Sequence, residues 1–383
     1  MKIFWLTKLS DKDQYRRTQL EISEALRKRG HIVSLIFARH FSEKKQIQKN
    51  IIYLPTINCR IISGFIFGII IFFYLPLIIK KKKADLVIVS GDTIWNPFLL
   101  SFKPYDIPII LDIRSLPIDR DKSSLLTDIS FYFSKYLFDG YTTISRELKE
   151  ILKKKYHLQD KRIGIWSSGV SKDLLNNSLN QQAIDNKIDT HKFVLINHGT
   201  YSPTRGIENL IRSIAELNDF MKKNIKLLLI GIPIEKKIDL TTLCEELKLT
   251  EEIDIIPPVD NEKIPQYIRS SDIGIIPLPP NNQWWQVSVP LKTLEYLAMS
   301  KPIIATNIPF HHRIFEKGNC GVLIENNEPK TIANAIIFLY KNREKLDEMG
   351  RKGREIVEKY YTWEKSAIDL EEFINKIIFK ELK

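Results

Sequence analysis

The chain alternates, twice over, between short apolar runs of strand type and helical segments, and that alternation leaves few folds open. Residues 2–7 (KIFWLT) form an apolar opening strand. Residues 14–29 read as a helix with Leu20, Ala25 and Leu26 on one side and charges on the other, closed by Gly30. A strand over 31–37 follows, then strands at 85–89, 108–112 and 140–145, with a helix over 124–138. Short strands of nearly continuous apolar character are buried on both faces, as in a parallel sheet. Residues 176–190 are polar and aperiodic and read as a linker. The alternation then restarts, with strands at 193–197, 225–230, 253–256, 273–276 and 302–305. Helices are expected at 206–220, 240–247, 264–269, 291–299, 331–340 and 343–361. The expected class is α/β, with two Rossmann-like doubly wound parallel-sheet domains over 1–175 and 191–360. Such sheets bind ligands beyond the carboxyl ends of their strands, so two facing sheets would share one interdomain cleft.

A chain of 383 residues suits two domains. Its formal charge of +12 favours anionic partners such as phosphate-bearing substrates or an acidic membrane. Much of that excess is lysine in a chain also rich in Ile and Asn, a bias that genome composition produces without function. Charge is dispersed and carries no recognition motif, which argues against a nucleic-acid binder. The three cysteines, Cys59, Cys244 and Cys320, are far apart, which argues against a disulfide framework or a zinc site and for a cytoplasmic home. The N-terminus turns polar too early for a signal peptide.

Residues 61–79 (IISGFIFGIIIFFYLPLII) hold no charge, and Lys80, Lys81, Lys82 and Lys83 follow at once. Length and flank fit a transmembrane span, a membrane-surface docking helix or a buried core helix. Pro76 and the soluble surroundings weigh against the span. Docking of segment 61–83 would make the protein peripheral on the inner face of the cytoplasmic membrane.

The motifs narrow the chemistry. No G-x-G-x-x-G follows a strand and no G-x-x-x-x-G-K-[ST] occurs, so hydride enzymes and P-loop proteins are disfavoured. No Cys/His cluster offers a metal site, and the triplet Asp119-Arg120-Asp121 reads first as solvated surface. What remains is His198-Gly-Thr-Tyr-Ser-Pro-Thr-Arg-Gly206 between a strand and a helix. Gly199 lets a ligand approach the backbone, the helix after Gly206 presents free N–H groups, and Arg205 offers bidentate phosphate contacts. Such joints are also common without a ligand. The run from Ser288 to Ala305 places Lys292 in a helix's first turn and Glu295 one turn later. They suit phosphate and ribose hydroxyls respectively, or equally a plain salt bridge. Trp284 and Trp285 could stack on a sugar or a base, or cap a loop.

These residues resemble glycosyltransferase family 4, the "group 1" set with the GT-B fold. The signature P-x-K-x-x-E-Y-x-A-x-x-K-P-[IV]-[IV]-A appears as Pro290, Lys292, Glu295, Tyr296, Ala298, Lys301 and Pro302 through Ala305. His198-Gly-Thr with Arg205-Gly206 is similar to the family's donor loop, and residues 271–278, 29–33 and 166–170 resemble further family stretches. Tyr361-Thr-Trp363 resembles the point where a closing helix, here 361–383, crosses back to the N-terminal domain. The resemblance covers nearly the whole chain, most strongly after Asn197.

It implies a retaining, metal-independent hexosyltransferase-like enzyme (EC 2.4) using a nucleotide-sugar donor, UDP- or GDP-linked, with no cofactor. The acceptor would be a sugar or polyprenyl-linked glycan in cell-surface polysaccharide synthesis, such as lipopolysaccharide or capsule. Arg205 and Lys292 would hold the diphosphate, Glu295 the ribose, and backbone around Pro258 and Val259 the base. Gly199, Thr200, Gly231 and Ser288 complete the expected donor site. Residues 111–117 resemble the family's E-x-R-D-L-x-P stretch and nominate Asp112 and Arg114 for the acceptor-side wall and for catalysis. The chain departs from the family pattern where a glutamate is common, at Val287, and where an arginine follows the donor-loop glycine, at Thr200. A glycine-rich N-terminal loop is replaced by Lys8-Leu-Ser-Asp11. These departures keep two alternatives: a nucleotide-sugar epimerase of the same fold, and a non-catalytic partner subunit.

Overall fold

Among the described residues every strand pairing is parallel, and the pairings form two separate sheets. The structure, a computed structural model, describes the chain apart from residues 9–15, 41–49, 58–61, 92–98, 100–105, 116–121, 160–161, 178–190 and 380–383. Asp119–Asp121, Cys59 and most of the expected linker lie outside the described residues. Each sheet defines a unit: Met1–Ser168 with Trp363–Lys383, and Gly169–Thr362. The division at Ser168 comes ahead of the polar stretch 176–190.

Unit 1 begins with β1 (Lys2–Thr7), α1 (Arg16–Lys28), β2 (Ile32–His40), β3 (Ile51–Thr56), α2 (Ile62–Lys82) and β4 (Leu86–Ser90). It continues through β5 (Ile109–Ile113), α3 (Lys122–Ser134), β6 (Gly140–Thr143), α4 (Arg146–Tyr156) and β7 (Ile163–Ile165). The strand order is β3-β2-β1-β4-β5-β6-β7. β4 and β5 are buried along their whole length, as strands covered on both faces must be.

Unit 2 runs from α5 (Lys172–Asn177) through β8 (Phe193–His198), α6 (Ile207–Ala215), α7 (Asp219–Lys223), β9 (Ile225–Ile230), α8 (Ile234–Glu246), β10 (Ile253–Ile256) and α9 (Ile264–Arg269). Then come β11 (Ile273–Ile276), α10 (Gln283–Val287), α11 (Leu291–Ala298), β12 (Ile303–Thr306), α12 (Pro309–Phe315), β13 (Gly321–Ile324), α13 (Pro329–Lys341) and α14 (Leu346–Tyr360). The order β10-β9-β8-β11-β12-β13 repeats that of the first six strands of unit 1. In both sheets the order reverses beside the first strand, which is where doubly wound folds open a ligand crevice.

Local chemistry sets the boundaries. The single helix expected over 206–220 is two, because the Asn218 side chain accepts from the Met221 N–H at 2.9 Å and starts α7 afresh. Gly206 has φ 71°, and a Cβ there would lie 2.1 Å from the Pro277 carbonyl oxygen, so only glycine lets the β8–α6 turn press against the end of β11. Cys244 and Cys320 are buried free thiols.

The closing helix, α15 (Trp363–Ile378), belongs to unit 1. It packs on a floor made by two strand glycines: a Cβ on Gly140 would lie 2.6 Å from Ile377 Cδ1, and one on Gly164 2.4 Å from Phe373 Cγ. Glu371 of this helix pairs with Arg29 and, at 3.0 Å, with His31 Nε2. His31 therefore has a structural partner at the start of β2. We expect Gly164→Ala to displace the Phe373 ring and to cost unit 1 about 1–3 kcal/mol, the usual range for overpacking. A lowered urea midpoint for unit 1 checks this, and an unchanged midpoint would show that α15 does not depend on that floor.

Candidate functional site

At the end of β8, two cations converge on one glycine. A Cβ built on Gly199 would lie 3.7 Å from Arg205 Nη1 and 3.8 Å from Lys292 Nζ, so both charged heads border the same small volume beyond the strand. Arg205 arrives there on the short 3-10 turn Pro203–Arg205, which is capped by Ser202. Lys292 arrives on the first turn of α11, whose N-cap is Pro290. Gly231, at the end of β9, closes the floor: its Cβ would fall 2.7 Å from the Gly199 carbonyl oxygen, an approach only glycine permits.

Lys292 is 7% exposed. Its Nζ donates to Asn197 Oδ1 at 3.4 Å, and Asn197 Nδ2 donates to the Ile275 carbonyl at 2.7 Å, which fixes the amide with its oxygen toward the lysine. Burial, with the Arg205 guanidinium adding to it, pulls the ammonium down to about 7 against the opposing pull of Glu295. A buried amine beside a second cation is a place that an anion would relieve.

Glu295 lies one turn further along α11, and its Oε2 is 3.4 Å from His198 Nε2. The His198 ring meets Tyr296 edge-on at 5.0 Å, and the His198 backbone N–H donates to the Tyr296 hydroxyl at 3.0 Å. Helix α11 is itself tied to β12 through His311, which is fully buried. Because the Thr306 carbonyl can only accept, Nδ1 carries the proton across that 2.8 Å bond, and Nε2 accepts from Thr293 Oγ1 at 2.9 Å. Burial holds this imidazole neutral, with its pKa pulled down to about 4.

Trp285 braces the cation turn. Its Nε1 donates to the Thr204 carbonyl at 2.8 Å, and Arg205 Cζ lies 5.5 Å from its ring centroid. Trp284 is exposed, while Val287 faces inward at 3% exposure. Ser288 Oγ donates within its own loop, to the Trp284 carbonyl at 2.6 Å. Thr200 and Pro258 are exposed and Val259 is half-buried, the last two just past the end of β10. A separate cavity of about 570 Å³ opens beside β10, lined by Lys237, Cys244, Asp254 and Tyr267 among others, and neither cation lines it.

Two family profiles match this chain: "Glycosyl transferases group 1" over residues 180–356, and "Glycosyltransferase Family 4" over residues 16–174. The chain belongs to glycosyltransferase family 4. An uncharacterized glycosyltransferase of Methanocaldococcus jannaschii is 27% identical over 240 residues, covering 62% of this chain and 60% of that protein. The match thus spans less than two thirds of that relative's length. Sucrose-phosphate synthase from Thermosynechococcus elongatus shares the fold with a TM-score of 0.78 at 14% identity, over 99% of this chain and 100% of that one. Anabaena HepE, solved in complex with UDP, gives 0.74 at 13% identity over 98% and 100%. The two parallel-sheet units are those of the GT-B fold.

In unit 1 of this family-4 chain, Asp112 and Arg114 form a different kind of cluster. Asp112 lies within β5 and has no exposed surface. Its Oδ1 accepts from Thr142 Oγ1 at 2.8 Å and from Trp166 Nε1 at 3.0 Å. Burial pushes this carboxyl up from its usual range, with Arg114, Thr142 and Trp166 opposing. Arg114 Cζ sits 3.7 Å over the Trp166 ring, and its two Nη groups donate to the Trp166 carbonyl at 3.0 Å and to Ser168 Oγ at 3.2 Å. Burial, opposed by Asp112, brings the guanidinium down to about 10. The pair expected on an open, catalytic wall instead holds the Trp166–Ser168 turn in place, and Asp112 has no face toward solvent.

Sequence reasoning set His198 at the head of the donor loop without a role for its side chain, and left Asn197, Thr293 and His311 aside. Asn197 and His198 stand beside Gly199, and their polarity at the end of an apolar strand was the available signal. His311 gave none, since its contact with Thr306 is to a backbone carbonyl and Thr293 lies 18 positions away on another helix. Asp112→Asn keeps the acceptor oxygen for Thr142 and Trp166, whereas Asp112→Ala strands two buried donors. We expect Ala to cost about 2–4 kcal/mol and Asn clearly less, as read from chemical denaturation. Equal losses would show that the charge, not the hydrogen bonds, matters there.

Proposed function

We propose that this chain is a glycosyltransferase that moves a sugar from a nucleotide-diphosphate donor to a glycan acceptor. The observation that carries the reading is the convergence of Arg205 and Lys292 on Gly199, with Glu295 one turn beyond. The volume bordered by the two cations fits a diphosphate, and the first N–H groups of α6 begin immediately after Gly206. When the bond between the sugar carbon and the diphosphate oxygen breaks, the leaving nucleotide gains negative charge. Arg205 and Lys292 stabilise that charge in a partly desolvated setting, where electrostatic contacts act most strongly. Glu295 accepts from ribose hydroxyls, with His198 Nε2 3.4 Å from its Oε2. The backbone at Pro258 and Val259 meets the base.

The two cations supply the positive charge a leaving diphosphate requires, which supports a metal-independent transfer. The resemblance to the family supports a reading of retained anomeric configuration. HepE's complex with UDP favours a UDP-linked donor here. A lipid-linked glycan acceptor, in cell-surface polysaccharide synthesis, fits the exposed apolar helices of unit 1.

Thermal melting against UDP-, GDP-, dTDP- and ADP-sugars tests the donor site. One nucleotide series is expected to raise the melting temperature of the wild type in line with RT ln(1 + [L]/Kd), and Glu295→Ala to lose most of that shift. The stabilising donor, incubated with the protein and glycan acceptors, should then yield an extended glycan. Release of free epimerised sugar would point to an epimerase instead. Absence of any shift across the panel would overturn the donor site and leave a partner-subunit role.

A further inference from the structure

Helix α2 carries two apolar faces with different fates. Phe67, Ile71, Leu75 and Ile79, every fourth residue, are buried. Phe65, Ile69, Phe72, Phe73, Tyr74 and Leu77 are exposed, with Phe73 at 68% and Leu77 at 65%. Lys80, Lys81, Lys82 and Lys83 follow, all exposed. A transmembrane crossing is incompatible with this placement. β3 and β4, which flank α2, lie in one continuous sheet with only β2 and β1 between them, so the helix is a crossover whose buried face belongs to the unit's own core.

Further exposed apolar side chains lie on the same side of the sheet as α2. The connections β3→β4, β5→β6 and β6→β7 all advance in one direction across the sheet, while β1→β2 runs the other way. Right-handed crossovers therefore put α2, α3 and α4 on one face and α1 on the other. α15 packs with α1. α3 and α4 are bound together by the Phe131–Tyr156 stack at 4.8 Å and by the Tyr132 hydroxyl donating to the Lys155 carbonyl at 3.2 Å. On that side the α3 segment exposes Ile129, Tyr132, Phe133 and Tyr136, and α4 exposes Ile151. Tyrosine and phenylalanine mixed in this way suit a lipid headgroup boundary, where one end of the ring is wet and the other apolar.

The charges are arranged to match. Crossover helices run antiparallel to their strands, so Lys80–Lys83 and the exposed Lys154 near the end of α4 collect at the edge where the strands begin. The opposite edge, where the strands end, carries Asp112 and Arg114 and stays clear of that contact.

We propose that the exposed side of α2, with the α3 and α4 aromatics on the same side of the sheet, docks on an anionic phospholipid leaflet, with the aromatic side chains in the headgroup region and Lys80–Lys83 on acidic headgroups. The protein then lies peripherally on the inner face of the cytoplasmic membrane. An anionic leaflet supplies charge opposite to Lys80–Lys83 across the whole contact, whereas the same face of a second copy carries the same positive block. The inference is independent of the donor site.

Flotation of the full chain with phosphatidylcholine vesicles, with and without phosphatidylglycerol, tests it. The wild type should float only with the anionic vesicles. Lys81→Gln with Lys82→Gln should lower the partition coefficient by about thirtyfold, the loss expected for two lysines at an acidic surface. Phe73→Ser with Leu77→Ser should abolish flotation while leaving the melting temperature near that of the wild type, since both side chains are exposed. Failure of the wild type to float with anionic vesicles, or undiminished flotation of both variants, would overturn the proposal. So would a concentration-dependent dimer lost in Phe73→Ser/Leu77→Ser, which would assign the face to self-association.

Discussion

Two like charges held at one glycine, with one of them buried, form the constraint around which unit 2 is arranged. Holding a buried lysine beside an arginine is unfavourable, and several features hold them there. Asn197 turns its oxygen to Lys292, Trp285 braces the turn that carries Arg205, and His311 ties the first turn of α11 to β12. Gly206 and Gly231 let backbone segments approach more closely than any side chain would allow. A negative group at Gly199 would relieve this pair and favour the ammonium form of Lys292.

Unit 1 is built on the same strand order but puts different chemistry at its strand ends. A buried acid, Asp112, organises Trp166, and Arg114 stacks on that indole and ties it to Ser168. The cluster reads as a scaffold for the chain where unit 1 hands over to unit 2 at Ser168. The outer helices serve a third purpose, presenting aromatic surface and lysines at the edge remote from the strand ends.

Much of this was legible in the sequence because parallel strands are apolar on both faces. The runs at 86–90, 109–113, 225–230 and 273–276 could hardly be anything else. Strands β3, β7 and β13 were not legible for three physical reasons. β3 contains Pro55, tolerable only because β3 is the sheet edge. β7 is three residues long with Gly164 at its centre, a residue chosen for the approach of Phe373. β13 opens on Gly321, whose Cβ would lie 1.9 Å from the Ile303 carbonyl oxygen. α2 is apolar all round, so its periodicity could not say which face the core would take. In the site, Arg205, Lys292 and Glu295 were picked out through the resemblance to the family signature, since their spacing alone left a plain salt bridge equally open. The burial of Asp112 was not, since it depends on the strands on either side of β5.

The most direct test of the cation pair is the titration of Lys292 itself, by NMR of protein carrying 13C at the lysine ε position and assigned with Lys292→Arg. The free protein should show one lysine titrating near 7 rather than near the ordinary 10.5. Saturation with UDP should move that midpoint upward, because an anion at Gly199 favours the ammonium and binding should take up protons at neutral pH. A Lys292 that titrates near its ordinary value, or one whose midpoint ignores every nucleoside diphosphate, would contradict the account.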